Sequence, residues 1–327
     1  DMKKRTAFIG AILSLIPLGQ PLLIKTGVVL SSAAVMLSSP QKVNAETSTF
    51  YFNRAYEKAE RGDHYGAISD FTKAIEINPR HAFPYYNRGV AKKELEDFQG
   101  AIDDFTKAIE INPSDKEAYV NRGLVKVRLE DFQGAIDDYS KAIEINPNDE
   151  KTYFNRGLAK VRLEDFQGAI ADYSKVLEIN PKELVYVQRS NAKFKLGDYE
   201  GAIADLSKEL EVNPSSAEAF YFRGYMKSKL KDSKGEIADY TKAIEINPNY
   251  EKAYISRGLA KVSLEDFEGA IADYTKAIEI NPTEESCYYN IGLAKFNLED
   301  FEGAIADYTK AIDINPAYEN AYLNRGA

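Results

Sequence analysis

The dipeptide Asn-Pro returns with its proline at Pro79, Pro113, Pro147, Pro181, Pro214, Pro248, Pro282 and Pro316, at intervals of 34 residues broken once by 33. A period of that length, held through eight copies, restricts the chain to an array of small units stacked on one another. A single globular core is excluded, because a unit this short cannot bury both of its faces and must use its neighbours.

The unit spanning 116–149 reads as two helices. Its second half carries Phe132, Ala135, Ile136, Tyr139, Ala142 and Ile143, steps of three and four that make one apolar helix face. Asp131 stands just before that face as an N-cap, an acceptor for the free amides of the first turn. Aspartate fills the same place in all eight units, at Asp63, Asp97, Asp131, Asp165, Asp198, Asp232, Asp266 and Asp300. Asn146-Pro147 ends the helix, since proline disfavours helical backbone in the residue before it. The first half, 118–129, has Tyr119, Gly123, Leu124 and Val127 on its own apolar side. Two helices of about 13 residues, each about 20 Å long, form a hairpin whose small residues Gly123 and Ala135 permit close approach.

The unit resembles the tetratricopeptide repeat, with the aromatic Tyr119, the small Gly123, then Ala135, Tyr139, Ala142 and Pro147 at the family's spacings. The resemblance covers repeats at about 48–81, 82–115, 116–149, 150–182, 183–216, 217–250, 251–284 and 285–318, with a partial ninth at 319–327. It implies an all-α fold, a superhelical solenoid of helix-turn-helix hairpins, with a concave groove lined by the first helices. The NRG and INP variant of the repeat is similar to those of bacterial, especially cyanobacterial, proteins.

The first 45 residues are a different kind of sequence. Lys3, Lys4 and Arg5 precede apolar runs at 7–18 and 27–37, and Val43-Asn44-Ala45 precedes Glu46. This is the pattern of an export signal, with cleavage expected after Ala45. The alternative is a membrane anchor formed by residues 7–37, although neither run reaches the roughly 20 apolar residues of a spanning helix. Together with export, the resemblance to bacterial and cyanobacterial repeats implies the periplasm or a thylakoid lumen.

Composition narrows the function. The formal net charge is −9, and the first 45 residues hold five cations against one anion, so the repeat region is strongly acidic. Phosphate-backbone binding rests on clustered Lys and Arg, so nucleic acid is not an expected partner. One cysteine, Cys287, and two histidines, His64 and His81, leave no disulfide and no His/Cys metal cage. Cys287 reads as a buried inert thiol, and both histidines as solvated surface residues. Carboxylate pairs such as Asp103-Asp104 sit on consecutive helix positions, about 100° apart. The expectation is no catalytic site, no metal and no cofactor.

Two charges recur. Arginine precedes the small residue of the first helix, at Arg54, Arg88, Arg122, Arg156, Arg189, Arg223 and Arg257, with Ile291 breaking the series. Aspartate recurs on the second helix, at Asp70, Asp104, Asp138, Asp172, Asp205, Asp239, Asp273 and Asp307. Their joint persistence predicts a structural ion pair repeated down the stack rather than a basic ladder for a ligand.

Carried onto this chain, the family's groove positions give an amide series of Asn53, Asn87, Asn121, Asn155 and Gln188, resumed at Asn290 and Asn324. Amides offer donor and acceptor to an extended peptide. Beside them stand Phe52, Tyr86, Phe154, Tyr221 and Tyr289. One turn further on, Glu60 and Glu94 give way to Arg128, Arg162, Lys195 and Lys229, then Ser263 and Asn297. A basic stretch in an acidic protein favours an acidic partner segment.

The fifth and sixth repeats are irregular. Ser190 replaces glycine, Glu209 and Glu236 replace packing alanines, and Ser233 replaces an aromatic. Paired carboxylates, access to water, or a hinge are the expected ways to accommodate them. The sequence therefore reads as a non-catalytic, exported scaffold or assembly factor that binds protein segments. The alternatives are the docking arm of a longer envelope enzyme, such as a glycosyltransferase, and cell-wall glycan binding by the Tyr-rich face. Self-association through an uncapped C-terminal end is a further expectation, and membrane contact is expected only through an uncleaved N-terminus.

Overall fold

The computed structural model describes residues 39–181 and 185–326. The expected export segment at 1–45 and the alternative anchor at 7–37 lie outside these residues, except for 39–45, which belong to the first helix. Among the described residues there are seventeen helices and no strand. In order they are α1 Ser39–Glu60, α2 His64–Ile77, α3 Ala82–Glu94, α4 Phe98–Ile111, α5 Lys116–Arg128, α6 Phe132–Ile145, α7 Glu150–Arg162, α8 Phe166–Ile179, α9 Tyr186–Lys195, α10 Tyr199–Val212, α11 Ala217–Lys229, α12 Ser233–Ile246, α13 Glu251–Val262, α14 Phe267–Ile280, α15 Glu285–Asn297, α16 Phe301–Ile314 and α17 Glu319–Gly326. Each odd-numbered helix up to α15 forms a hairpin with the helix that follows it. The chain divides into two compact units, one ending at Thr152 and the other beginning at Tyr153. No described helix is long and apolar enough to cross a membrane.

Each hairpin is built by the same local devices. The carboxylate of Asp131 accepts from the Gly134 amide at 2.9 Å, and the other seven aspartates cap their helices in the same way. The residue before each cap turns the chain through left-handed backbone, with φ of 61° at Glu96, 60° at Glu130 and 81° at Gly62. At the other end, Asn146 Oδ1 accepts from the Asn148 amide at 3.2 Å. Proline has no N–H to offer between them, so the asparagine side chain closes the turn onto the next available amide. That bond gives the Asn-Pro period its physical content.

Within a hairpin, the ring of the second helix lies against the small residue of the first. A Cβ on Gly123 would meet Tyr139 Cε1 at 2.7 Å, and one on Gly292 would meet Tyr308 Cε1 at 2.6 Å. These rings are fully buried, as are Phe71, Phe105, Tyr173, Tyr240 and Tyr274, each stabilising its hairpin by roughly 1.5–3 kcal/mol. The fifth repeat is accommodated by a paired change: Ser190 takes the glycine place and Leu206 takes the ring place, both buried.

Glu209 and Glu236 are both buried in the second unit. Neither has a hydrogen bond or ion pair to a base among the described residues, and Glu209 Oε2 lacks any hydrogen-bond partner there. Burial pushes both carboxyls above their ordinary value, Glu236 to about 7 with Asp232 adding to the shift. In both, poor solvation disfavours the charged form.

Candidate functional site

The polar side chains of the first helices fall into two groups, those used inside the stack and those exposed at its surface. The first group centres on the aspartates. Asp138 accepts from Arg122 Nε at 3.0 Å and Nη2 at 2.6 Å, a bidentate pair. Lys126 lies 2.8 Å from the second oxygen and also donates to the Gly134 carbonyl at 3.2 Å. Arg88 with Asp104 and Arg156 with Asp172 pair in the same way, at 2.6 Å each, with Lys92 and Lys160 as the third members. Equivalent triads hold Asp70, Asp205, Asp239 and Asp273.

The arginine also reaches into the preceding repeat. Arg88 Nη1 donates to Thr72 Oγ1 at 3.0 Å and Arg122 Nη1 to Thr106 Oγ1 at 2.9 Å. In the second unit, Arg189, Arg223 and Arg257 donate to Ser174, Ser207 and Thr241. The guanidiniums of Arg88, Arg122, Arg223 and Arg257 each lie near an aromatic ring three residues earlier, with Arg122 at 5.7 Å from Tyr119 and Arg257 at 5.7 Å from Tyr254. One residue thus ties its own hairpin together and straps it to the one before. The hydrogen bond from Arg54, then Lys58, holds the Asp70 carboxyl down to about 2 against the opposing effect of burial. The lysine and the hydroxyl had a signal in the sequence: lysine recurs four residues after the arginine, and Ser or Thr two residues after the aspartate.

Four expected groove residues, Phe52, Tyr86, Asn87 and Asn121, are internal, which corrects their assignment to an accessible face. Tyr86 and Asn87 have no exposed surface, and Asn121 is buried. Asn121 Nδ2 donates to the Tyr86 hydroxyl at 3.1 Å and to the Glu117 carbonyl at 3.0 Å, and its Oδ1 accepts from Lys93 Nζ at 3.1 Å. Its hydrogen-bonding capacity is spent joining two repeats. Asn87 Nδ2 donates to the Phe83 carbonyl at 2.9 Å. In the second unit, Asn155, Gln188, Phe154 and Tyr221 are half-buried. Phe154 packs on Tyr173 at 5.9 Å, and Tyr221 packs on Tyr250 at 5.1 Å and on Tyr240 at 5.7 Å. Each ring packs within its own repeat and leaves part of its surface open.

The second group is the cations at the ends of the first helices. Arg128 in the first unit, and Arg162, Lys195 and Lys229 in the second, are exposed. Lys229 Nζ lies 4.7 Å from the Tyr225 ring centre. A cation in the last turn also sits favourably with the helix dipole.

No group of three or more His, Cys, Asp or Glu among the described residues is arranged to hold a metal ion. Cys287 is buried, and desolvation followed by Glu284 pushes its thiol up to about 12, so thiolate chemistry at neutral pH is suppressed. The histidines differ from the expectation of solvated residues. His81 is half-buried between Phe52 and Phe83, with ring centres at 6.0 and 5.5 Å, and burial lowers its pKa. His64 is also half-buried.

Models described as tetratricopeptide repeat or TPR repeat match residues 48–81, 82–115, 117–149, 150–183, 187–251, 258–299 and 286–318. Among solved structures, the crystal structure of MamA is similar with 28% identity and a TM-score of 0.50, over 52% of this chain and 94% of that one. A tetratricopeptide repeat protein from Parabacteroides merdae is 20% identical, with a TM-score of 0.51, over 76% of this chain and 99% of that one. The C-terminal part of a TPR repeat-containing protein from Cytophaga hutchinsonii is 17% identical, with a TM-score of 0.65, over 73% and 98%. At their identities the last two show the fold alone. No curated protein matches the chain.

Proposed function

The chain belongs to the tetratricopeptide-repeat family, whose members serve as protein-interaction scaffolds, and on that footing we propose that it is a non-catalytic scaffold that holds acidic segments of partner proteins along its first helices. The observation that carries this reading is the sorting of charge. The arginines and lysines of the ion-pair triads are consumed inside the hairpins, whereas Arg128, Arg162, Lys195 and Lys229 stand exposed at the ends of first helices in a protein of net charge −9. Half-buried Phe154 and Tyr221 offer apolar surface on first helices of the second unit.

The test is the triple charge reversal Arg162→Glu/Lys195→Glu/Lys229→Glu, assayed with a fluorescent Glu-rich peptide and its Gln counterpart. The original protein should bind the Glu peptide with salt-sensitive affinity, and the reversal should weaken it at least tenfold with helicity and melting nearly unchanged. Equal binding by both proteins sinks the reading. A change in melting alone assigns the cations to the helix ends. Capture with chemical crosslinking from an envelope extract, run with the same pair, identifies the natural segment.

The basic start and the apolar runs before Ala45 support an exported scaffold, in a periplasm or thylakoid lumen. N-terminal sequencing of the protein recovered from an envelope fraction tests this: Glu46 as first residue marks the cleaved signal, and an intact start marks a retained segment.

A further inference from the structure

Seven of the eight aspartates grip an arginine of their own repeat, and the eighth does not. Ile291 stands where the arginine would be, buried against Tyr274 and Cys287. Its side chain ends well short of the place a guanidinium occupies in the other rungs. The groups that surround that place are nevertheless all present. Asp307 has Lys295 Nζ at 2.7 Å from Oδ2, without the alignment of a hydrogen bond, and in the neighbouring rung the matching oxygen, Asp273 Oδ1, accepts from Arg257 Nη2 at 2.6 Å. Thr275 donates its hydroxyl to the Ile271 carbonyl at 2.7 Å, as Thr241 does to Ile237 at 2.8 Å. The equivalent Thr241 oxygen accepts Arg257 Nη1 at 3.0 Å. Tyr288 holds the ring position that lies 5.7 Å from a guanidinium at Tyr254 and 5.4 Å at Tyr322. The opening reaches solvent, since the Asp307 side chain is 18% exposed against 4% for Asp273.

We propose that this eighth rung is a docking site for an arginine side chain of a partner protein, held by Asp307, Thr275 and Tyr288 in the place vacated by Ile291. The guest's planar fork would span the carboxylate and the hydroxyl together and stack on the ring, which a lysine ammonium cannot do. The site uses none of the cations assigned to acidic segments, so the two readings fail independently.

The experiment is a chemical-shift titration of the full chain with acetyl-Gly-Arg-Gly-amide and its citrulline and lysine counterparts. The arginine peptide should give saturable shifts centred on Thr275, Tyr288 and Asp307. Citrulline and lysine should bind at least tenfold more weakly. Ile291→Arg, which restores the residue found in the other seven rungs, should melt higher and lose the shifts because its own guanidinium fills the place. Asp307→Asn should lose them as well. Shifts spread over the acidic surface, equal binding of citrulline or lysine, or binding retained in either variant overturns the proposal.

Discussion

At the residue scale, the aspartate of each rung is where a single substitution should be felt most. Removing Asp138 leaves Arg122 and Lys126, both half-buried, facing each other with no anion. Asp138→Ala is therefore expected to destabilise by about 3–5 kcal/mol, read as a lower urea midpoint, and an unchanged midpoint refutes a structural role for the triad. Asn121→Ala should also cost stability, about 1–3 kcal/mol, because it strips a partner from the buried Tyr86 hydroxyl and from Lys93. Thermal melting of that variant checks it. Arg122 and Asp138 were legible in the sequence because two opposite charges recur at fixed places. The role of Asn121 was not. Its partner Tyr86 lies 35 residues away, and only the way one hairpin seats on the last decides whether an amide at that place meets a peptide or a tyrosine.

At the scale of the element, capping aspartates, helix periods and the Asn-Pro stop placed the two helices of the unit at 116–149 within a few residues. The second helix read from Phe132 to Ile143 is observed as Phe132–Ile145. The left-handed turn before each cap was hidden, because six of the eight residues there are glutamate or lysine rather than glycine. The buried glutamates were legible as misfits but not in their resolution. Glu236 has a folded pKa of about 7 against an ordinary 4.5, so the folded state holds the proton more tightly than the unfolded one. Its contribution is fullest below pH 4.5 and is lost as pH rises through 7. Glu236→Ala, the residue of neighbouring repeats, should raise the melting temperature at pH 8 and leave it nearly unchanged at pH 4. A parallel shift at both pH values contradicts the titration of this group.

At the scale of the whole molecule, the period of 34 residues announced the architecture, since no hairpin in the series can be stable alone. Two features had no signal in that period. The first helix starts at Ser39 and runs through Ala45, where the repeat pattern has not begun. The division between compact units falls at Thr152, not in the irregular fifth and sixth repeats. The strap from each arginine to the hydroxyl of the preceding repeat carries a mechanical consequence. Under tension along the chain, hairpins joined by that strap share load, and the joint at Thr275 lacks its guanidinium. In a force-extension experiment the first rupture should occur at that joint and release one repeat of 34 residues, about 110–120 Å of contour. Ile291→Arg should move that first rupture to higher force.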